Sequence, residues 1–503
     1  MAKLFPHFPF QGDETPVSWA ARMSSLHGSS SLRSFLADQG VSPSDLLHGR
    51  QAVIERLCDI GGQDPAPVWR NTASSKGRES FRLRGEIVPA SMLSREETRF
   101  CPLCLHEDDA GGTNPGSLRR DRLIWSLRVV TTCPVHHLPL IYRGREHREN
   151  MLHKLILHVP ERGGELLALA ADTSRREASP LQSYVLGRLD GHRGLNWLDG
   201  QTLEQAVKAT QMLGLVMAFG TAVNLGSVDR DGWDLAGRAG WEWVAQGVRG
   251  LSAAFRELQA SAFARGQGGQ NYFTVFGQLH RWLLEPGDRS DHGPIKQVLR
   301  DYILQNMDVC IGRNLLGEPV ERRSKYSVQS LALETGLHRQ TLCKVLIERD
   351  LIAASDADKP YSILLVDAEK GREAAAALSH AVPFVKLPTL LNATRPIVTC
   401  LIDLGLLTPL HRSVGENTRD KCGFDAREIE QLMDRIHALA PEMTDLPPDW
   451  VNLTQCTKRA STPMRQLLQM ILQSGIRKIG RARGESGFNA LRFDIEEIRL
   501  RAS

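Results

Sequence analysis

Apolar residues recur along the chain in two rhythms. From Leu123 to Val130 they alternate: Leu123, Trp125, Leu127 and Val129 on one side, Ile124, Ser126, Arg128 and Val130 on the other, which predicts a strand. Elsewhere the spacing is three or four residues, the period of an amphipathic helix. DETPVSWAARMSSLHG places Asp13 and Glu14 ahead of a helix start. Val17, Ala20 or Ala21, and Met23 then share a face with Trp19, which reads as core. SLRSFLADQGVSPSDLLHGR and QAVIERLCDIGG continue as short helices punctuated by Gly40, Pro43 and Gly61–Gly62. Between residues 150 and 310, LEQAVKATQMLGLVMAFG, WEWVAQGVRGLSAAFRELQASAFA, YFTVFGQLHRWLLEP and IKQVLRDYILQNM predict further helices, with Trp241, Trp243, Phe255 and Phe263 as core. FARGQGGQ is glycine-rich, but no Gly-Lys-Ser/Thr follows, so it is not a phosphate loop.

After residue 325 the helical pattern repeats. YSVQSLALETGLHRQTLCKVLIERDLI fits a helix-turn-helix. Counting from Val328, a small residue (Ala332) stands at position five, glycine (Gly336) at nine, and apolar residues (Leu342, Val345) at fifteen and eighteen. VPFVKLPTLLNATRPIVTCLIDLGLL is a second copy, with Leu390 and Leu391 before the turn and Ile397 and Leu401 behind it; VNLTQCTKRASTPMRQLLQMILQSGI is a third. Each copy is followed by a strand ending in Asp and then a helix (ILLVDAEKGREAAAAL, GFDAREIEQLMDRI, LRFDIEEIRLR), as a wing and an added helix require. The start of each second helix carries polar groups suited to DNA: His338, Arg339, Gln340 and Lys344; Thr394, Arg395 and Thr399; Thr462, Arg465 and Gln466. IRKIGRARG adds Arg477, Lys478, Arg481 and Arg483 as a wing or backbone clamp, a solvated loop being the alternative.

One stretch carries metal chemistry. FCPLCLHEDD gives a Cys101-x2-Cys104 knuckle, and CPVHHLPL a Cys133-x2-His136 knuckle, with Pro102 and Pro134 at the same place in each. Two such turns supply four N/S ligands, which close the tetrahedral sphere of a structural Zn²⁺; buried unligated cysteines are the alternative. His137 is open to three readings: it takes the place of His136, supports it, or lies exposed beside it. The loop between the knuckles carries Arg119, Arg120 and Arg122.

Composition narrows the setting. The 503 residues allow three or more domains, and 42% hydrophobic with 24% charged residues is ordinary for a soluble globular protein. No apolar window is long enough to span a membrane, and MAKLFPHFPFQGDE lacks a signal-peptide core. Nine cysteines with one well-spaced set point to a reducing, cytoplasmic compartment. The net charge of +4 permits nucleic-acid binding without demanding it. No carboxylate trio spaced like a transposase and no serine or tyrosine nucleophile stands out, so a non-enzymatic protein is expected.

DETPVSWAARMSSLHG, FCPLCLHEDD, a tryptophan-bearing segment and CPVHHLPL together resemble the TniQ family of bacterial transposon proteins, over roughly the first 145 residues. The resemblance implies an N-terminal helical DNA-binding-like domain joined to zinc ribbons, with Cys101, Cys104, Cys133 and His136 on the zinc-ligand pattern. Many members carry another Cys-x2-Cys pair soon after. Here no cysteine follows until Cys310, and His147, His153 and His158 lack thiolate partners. The long C-terminal array is similar to TnsD-type selectors of a fixed attachment site. That implies double-stranded DNA and an AAA+ ATPase regulator as partners, with transposase, a CRISPR effector complex or a second copy in a homodimer as others open to it, and a nucleoid-associated location. A zinc-containing transcriptional regulator and a CRISPR adaptor are the competing functions.

The expected architecture is mainly α and multidomain: an N-terminal helical domain (1–95), a zinc ribbon (96–145), a helical middle domain (146–325), and tandem winged helix-turn-helix units at 326–382, 383–445 and 446–503.

Overall fold

Helices dominate, and the sheets are small, with two to four short strands each. The computed structural model describes residues 3–502 except 78, 95–96, 145–151, 153, 195, 266–270, 286–290, 411–422 and 474. His147, His153 and most of the FARGQGGQ run therefore lie outside the described residues. The chain divides into two units, one of Met1–Gln267 with Asn271–Tyr302, the other running from Ile303 to Ser503.

The first unit begins with five helices whose starts are written in local sequence. Thr15, Ser42 and Asp64 each accept a backbone N–H at a helix start, and each is followed by proline, whose missing N–H costs nothing there. These helices close around Trp19, Leu36, Ile54, Leu57 and Val68. A second core gathers the hairpin Ser80–Leu83/Glu86–Pro89, the cysteine knuckles, and the helices Pro180–Leu189 and Leu203–Phe219. Polar contacts join the two cores. Arg22, paired with the fully buried Glu14 at 2.7 Å, donates its Nε–H to the Ser117 carbonyl at 3.1 Å, and Asp13 receives Arg120 at 2.9 Å.

Two expectations for this unit need correction. Leu123–Ser126 is a 3₁₀ turn, not a strand; the chain then bridges Leu93 through Leu127. The side chains alternate as far as Val129, with Leu123, Trp125, Leu127 and Val129 buried, before Val130 is buried as well, so an irregular backbone delivers most of the burial pattern of a strand. The run from Trp241 to Ala264 is two helices, Arg230–Val244 and Gly247–Ala264, broken where Gly247 takes φ 66°. Phe255 is core, whereas Trp241, Trp243 and Phe263 are half-buried.

Helices Leu203–Phe219 and Arg230–Val244 cross in close contact because glycine faces backbone on both sides. A Cβ at Gly214 would meet the Ala236 carbonyl at 1.8 Å, and one at Gly240 the Thr210 carbonyl at 1.9 Å.

The second unit is a strand–helix–helix–strand–helix module repeated three times. In copy one, Lys325–Ser327 leads into helices Val328–Thr335 and Arg339–Glu348, then strand Leu365–Asp367 and helix Ala368–Ser379. In copy two the order is Ala381–Pro383, Leu387–Leu390, Arg395–Asp403, Gly423–Asp425 and Ala426–Leu439. Copy three runs Val451–Asn452, Leu453–Arg459, Met464–Leu472, an added strand Ile479–Ala482, then Leu491–Phe493 and Ile495–Ala502. In every copy the entry strand pairs antiparallel with the exit strand. The recurring Asp has a reason: Asp367 and Asp425 end the exit strand, Asp494 directly follows it, and all three accept backbone N–H groups of the following helix.

The counted positions of copy one fall as the pattern requires. Ala332, Leu342 and Val345 are buried, and Gly336 turns the chain at φ 71°. In copy two Leu391 is buried, but Leu390 is 52% exposed. Copy one has its own core around Tyr326, Leu331, Leu342 and Val366, whereas copies two and three share one.

Candidate metal centre and nucleic-acid interface

The first knuckle sits at a helix N-terminus. Cys101 precedes helix Pro102–Asp109 and Cys104 lies in its first turn, where aligned peptide dipoles favour thiolate. The second knuckle is a tight turn in which the His137 N–H donates to the Cys133 carbonyl at 2.9 Å and the Cys133 N–H to the Leu138 carbonyl at 2.8 Å. Strand Glu97–Phe100 pairs with Ile141–Gly144 just outside the knuckles and sets the two turns face to face. Arg99, buried in this pair, donates to the carbonyls of Trp125, Leu127 and Val130 and so holds the irregular connecting segment.

The four ligand atoms converge. Cys104 Sγ lies 3.7 Å from Cys133 Sγ, and His136 Nδ1 lies 3.5, 3.3 and 3.7 Å from the sulfurs of Cys101, Cys104 and Cys133. An ion about 2.3 Å from sulfur and about 2.0 Å from nitrogen, at the centre of a tetrahedron, sets its ligands about 3.5–3.8 Å apart. The donor set therefore has the size and shape to hold a metal ion, and it forms such a cluster among the described residues. The neighbouring sulfurs of Cys101 and Cys133, together with burial, push the Cys104 thiol up.

His136, not His137, completes the set. The His137 ring turns away, with Nδ1 3.2 Å from Glu177 and a backbone φ of 58°. His136 Nε2 donates to Glu107 at 2.9 Å, which fixes the ring so that Nδ1 points at the sulfurs. The sequence reading missed Glu107, although FCPLCLHEDD contains it; nothing in that run marks which acid meets a histidine 29 positions on. The next acids bind the basic loop instead. Asp108 receives Arg120 at 2.6 Å and Arg122 at 3.2 Å, and Asp109 receives Arg119 at 2.6 Å. His158 is half-buried, away from the cluster, with its carbonyl taken by Arg143.

Residues 6–140 match the TniQ family model. The chain carries a TniQ domain. The matched stretch includes the five N-terminal helices, the hairpin and all four ligands, and it makes this a transposition-associated protein. Comparison with curated proteins gives no match. No helix among the described residues is long and apolar enough to cross a membrane.

The polar residues expected at DNA lie on the second unit. His338, Arg339, Gln340 and Lys344 are all exposed, with the Arg339 guanidinium 5.6 Å from the Tyr361 ring. Thr394 and Arg395 are exposed and Thr399 is half-buried. Arg465 is exposed and Gln466 half-buried, but Thr462 departs from expectation. It is buried, its hydroxyl donating to the Ala460 carbonyl, because the chain reverses at Ser461 with φ 50° and turns Thr462 inward.

The wing divides in two. Arg477 and Arg483 are exposed with no ion pair among the described residues. Lys478 is bound to Asp494 at 2.6 Å, and Arg481 is half-buried, 3.7 Å from Glu442.

Proposed function

We propose that this protein is a DNA-binding target-site selector in transposition. In this reading the TniQ domain, stiffened by Zn²⁺ on Cys101, Cys104, Cys133 and His136, is a structural platform that docks the transposon's AAA+ ATPase regulator. The three C-terminal modules act as winged helix-turn-helix units that hold and read double-stranded DNA. The observation that carries it is the threefold module joined to a TniQ domain: one strand–helix–helix–strand–helix unit recurs, and each second helix begins with exposed polar or basic side chains. At such positions Arg and Gln can read base edges, and Arg, Thr and Lys can hold phosphates. Zn²⁺ suits a closed set of three thiolates and one imidazole with no position left for water, so its role is structural.

Footprinting on DNA that spans the transposon's insertion site tests the reading. The expected result is a continuous protected tract beside the insertion point, with the ATPase retained on the same duplex only when the protein is present. Protection that is equal everywhere along the duplex contradicts it.

A further inference from the structure

The three modules are alike in backbone but not in the face each second helix shows to solvent. The face opposite the core holds four aligned positions in each copy. Copy one has Gln340, Thr341, Lys344 and Glu348; copy two has Arg395, Pro396, Thr399 and Asp403. Copy three has Arg465, Gln466, Gln469 and Gln473, the last being the helix's C-cap. On that third face Arg465, Gln469 and Gln473 are exposed and Gln466 half-buried, while Leu467, Leu468 and Ile471 fill the core behind them. Copies one and two each end the face on a carboxylate, which phosphates repel. Copy three has no acid there.

Copy two is built as a support for copy three. The two share a core, and their second helices pack against each other. The hairpin loop of copy three is pinned to the turn of copy two: the N–H groups of Phe488 and Asn489 donate to the Leu391 and Asn392 carbonyls at 3.0 and 2.9 Å. Asn392 in turn donates its side-chain amide to the Ser486 carbonyl at 2.7 Å. The turn that would lead copy two's second helix into a groove is thus occupied, and Pro396 removes a backbone donor from its first turn.

We infer that helix Met464–Leu472 is the base-reading element of the array, with Gln466, Gln469 and Gln473 directed at adenines and Arg465 at guanine. Copy two positions it, and the exposed Arg477 and Arg483 of the following segment grip phosphates. This rests on the target-site reading above. Glutamine offers adenine a donor and an acceptor matched to N7 and N6, and arginine offers two donors to the O6 and N7 of guanine. The i, i+4, i+8 spacing of Arg465, Gln469 and Gln473 keeps the three on one line along the helix.

Selection of the full-length protein against a pool of randomised duplexes tests it. The expected motif contains adenines with a neighbouring guanine. Gln469→Ala and Gln473→Ala should each lose about ten-fold or more in preference at one adenine position, with binding to unrelated DNA unchanged. Arg395→Ala and Thr399→Ala should leave the motif intact, Arg395→Ala weakening all duplexes alike. Gln469, Gln473 and Arg395 are exposed and Thr399 is half-buried, and an unchanged unfolding midpoint checks each variant's fold. A motif that survives both glutamine changes, or that shifts with Thr399→Ala, overturns the assignment while leaving the target-site reading intact. If the wild-type protein enriches no motif at all, the target-site reading falls and takes this assignment with it.

Discussion

At the scale of single residues, the candidate metal site has a supporting side chain outside the four proposed ligands. Glu107 holds His136 through Nε2, and such outer carboxylates typically contribute 10–100-fold to metal affinity. Glu107→Ala should therefore weaken binding of Zn²⁺ by about that factor in a competitive chelator titration. His136→Ala should abolish tight binding and His137→Ala leave it unchanged; equal loss in the two histidine variants would contradict the geometry. That Cys101, Cys104, Cys133 and His136 converge was legible because knuckle spacing is a local property of the chain. Glu107 and Asp108 were not. Their partners are brought to them by helix Pro102–Asp109 folding back on the arginine loop, and a list of acids cannot say which one meets a histidine and which a guanidinium.

Among elements, close contact between helices sets the tolerance. At Gly240 an added methyl meets the Thr210 carbonyl, which belongs to backbone and cannot rotate away. Gly240→Ala should cost about 1–3 kcal/mol in chemical unfolding of the first unit; a neutral result would mean the helices are further apart than described. The repeated Asp caps give a pH signature in the second unit. Burial alone would raise Asp425, but hydrogen bonds from Arg427 outweigh it and hold the carboxyl below the usual range; the hydrogen bond from Lys478 does the same for Asp494. Folded values below the unfolded one, about 3.9, mean that this stabilisation is present above about pH 5 and is lost as pH falls through the folded values. Acid unfolding followed by circular dichroism should thus be shallower in the Asp425→Asn/Asp494→Asn double variant, which is also less stable at pH 7. Identical acid limbs would contradict the caps' role. Elements were legible where period and caps agreed, as in the three modules. Leu123–Val130 shows the failure: alternating burial was read correctly as far as Val129, yet a 3₁₀ turn tethered by Arg99 satisfies the same alternation as a strand.

For the molecule as a whole, the cluster of Cys101, Cys104, Cys133 and His136 that could hold a metal sits within a core that also takes in the Ser80–Pro89 hairpin and helix Pro180–Leu189. Removing the metal should leave three crowded buried thiols and lower the thermal midpoint of the first unit by several degrees, with recovery on adding Zn²⁺. A chelated chain that melts unchanged would show that the cluster contributes nothing to folding. The second unit carries the functional claim. Its most direct test is the ratio of dissociation constants for the insertion-site duplex and a composition-matched scrambled duplex, measured at one fixed salt concentration. A preference of about 10³-fold or more for the insertion site is expected. A ratio near one would contradict it.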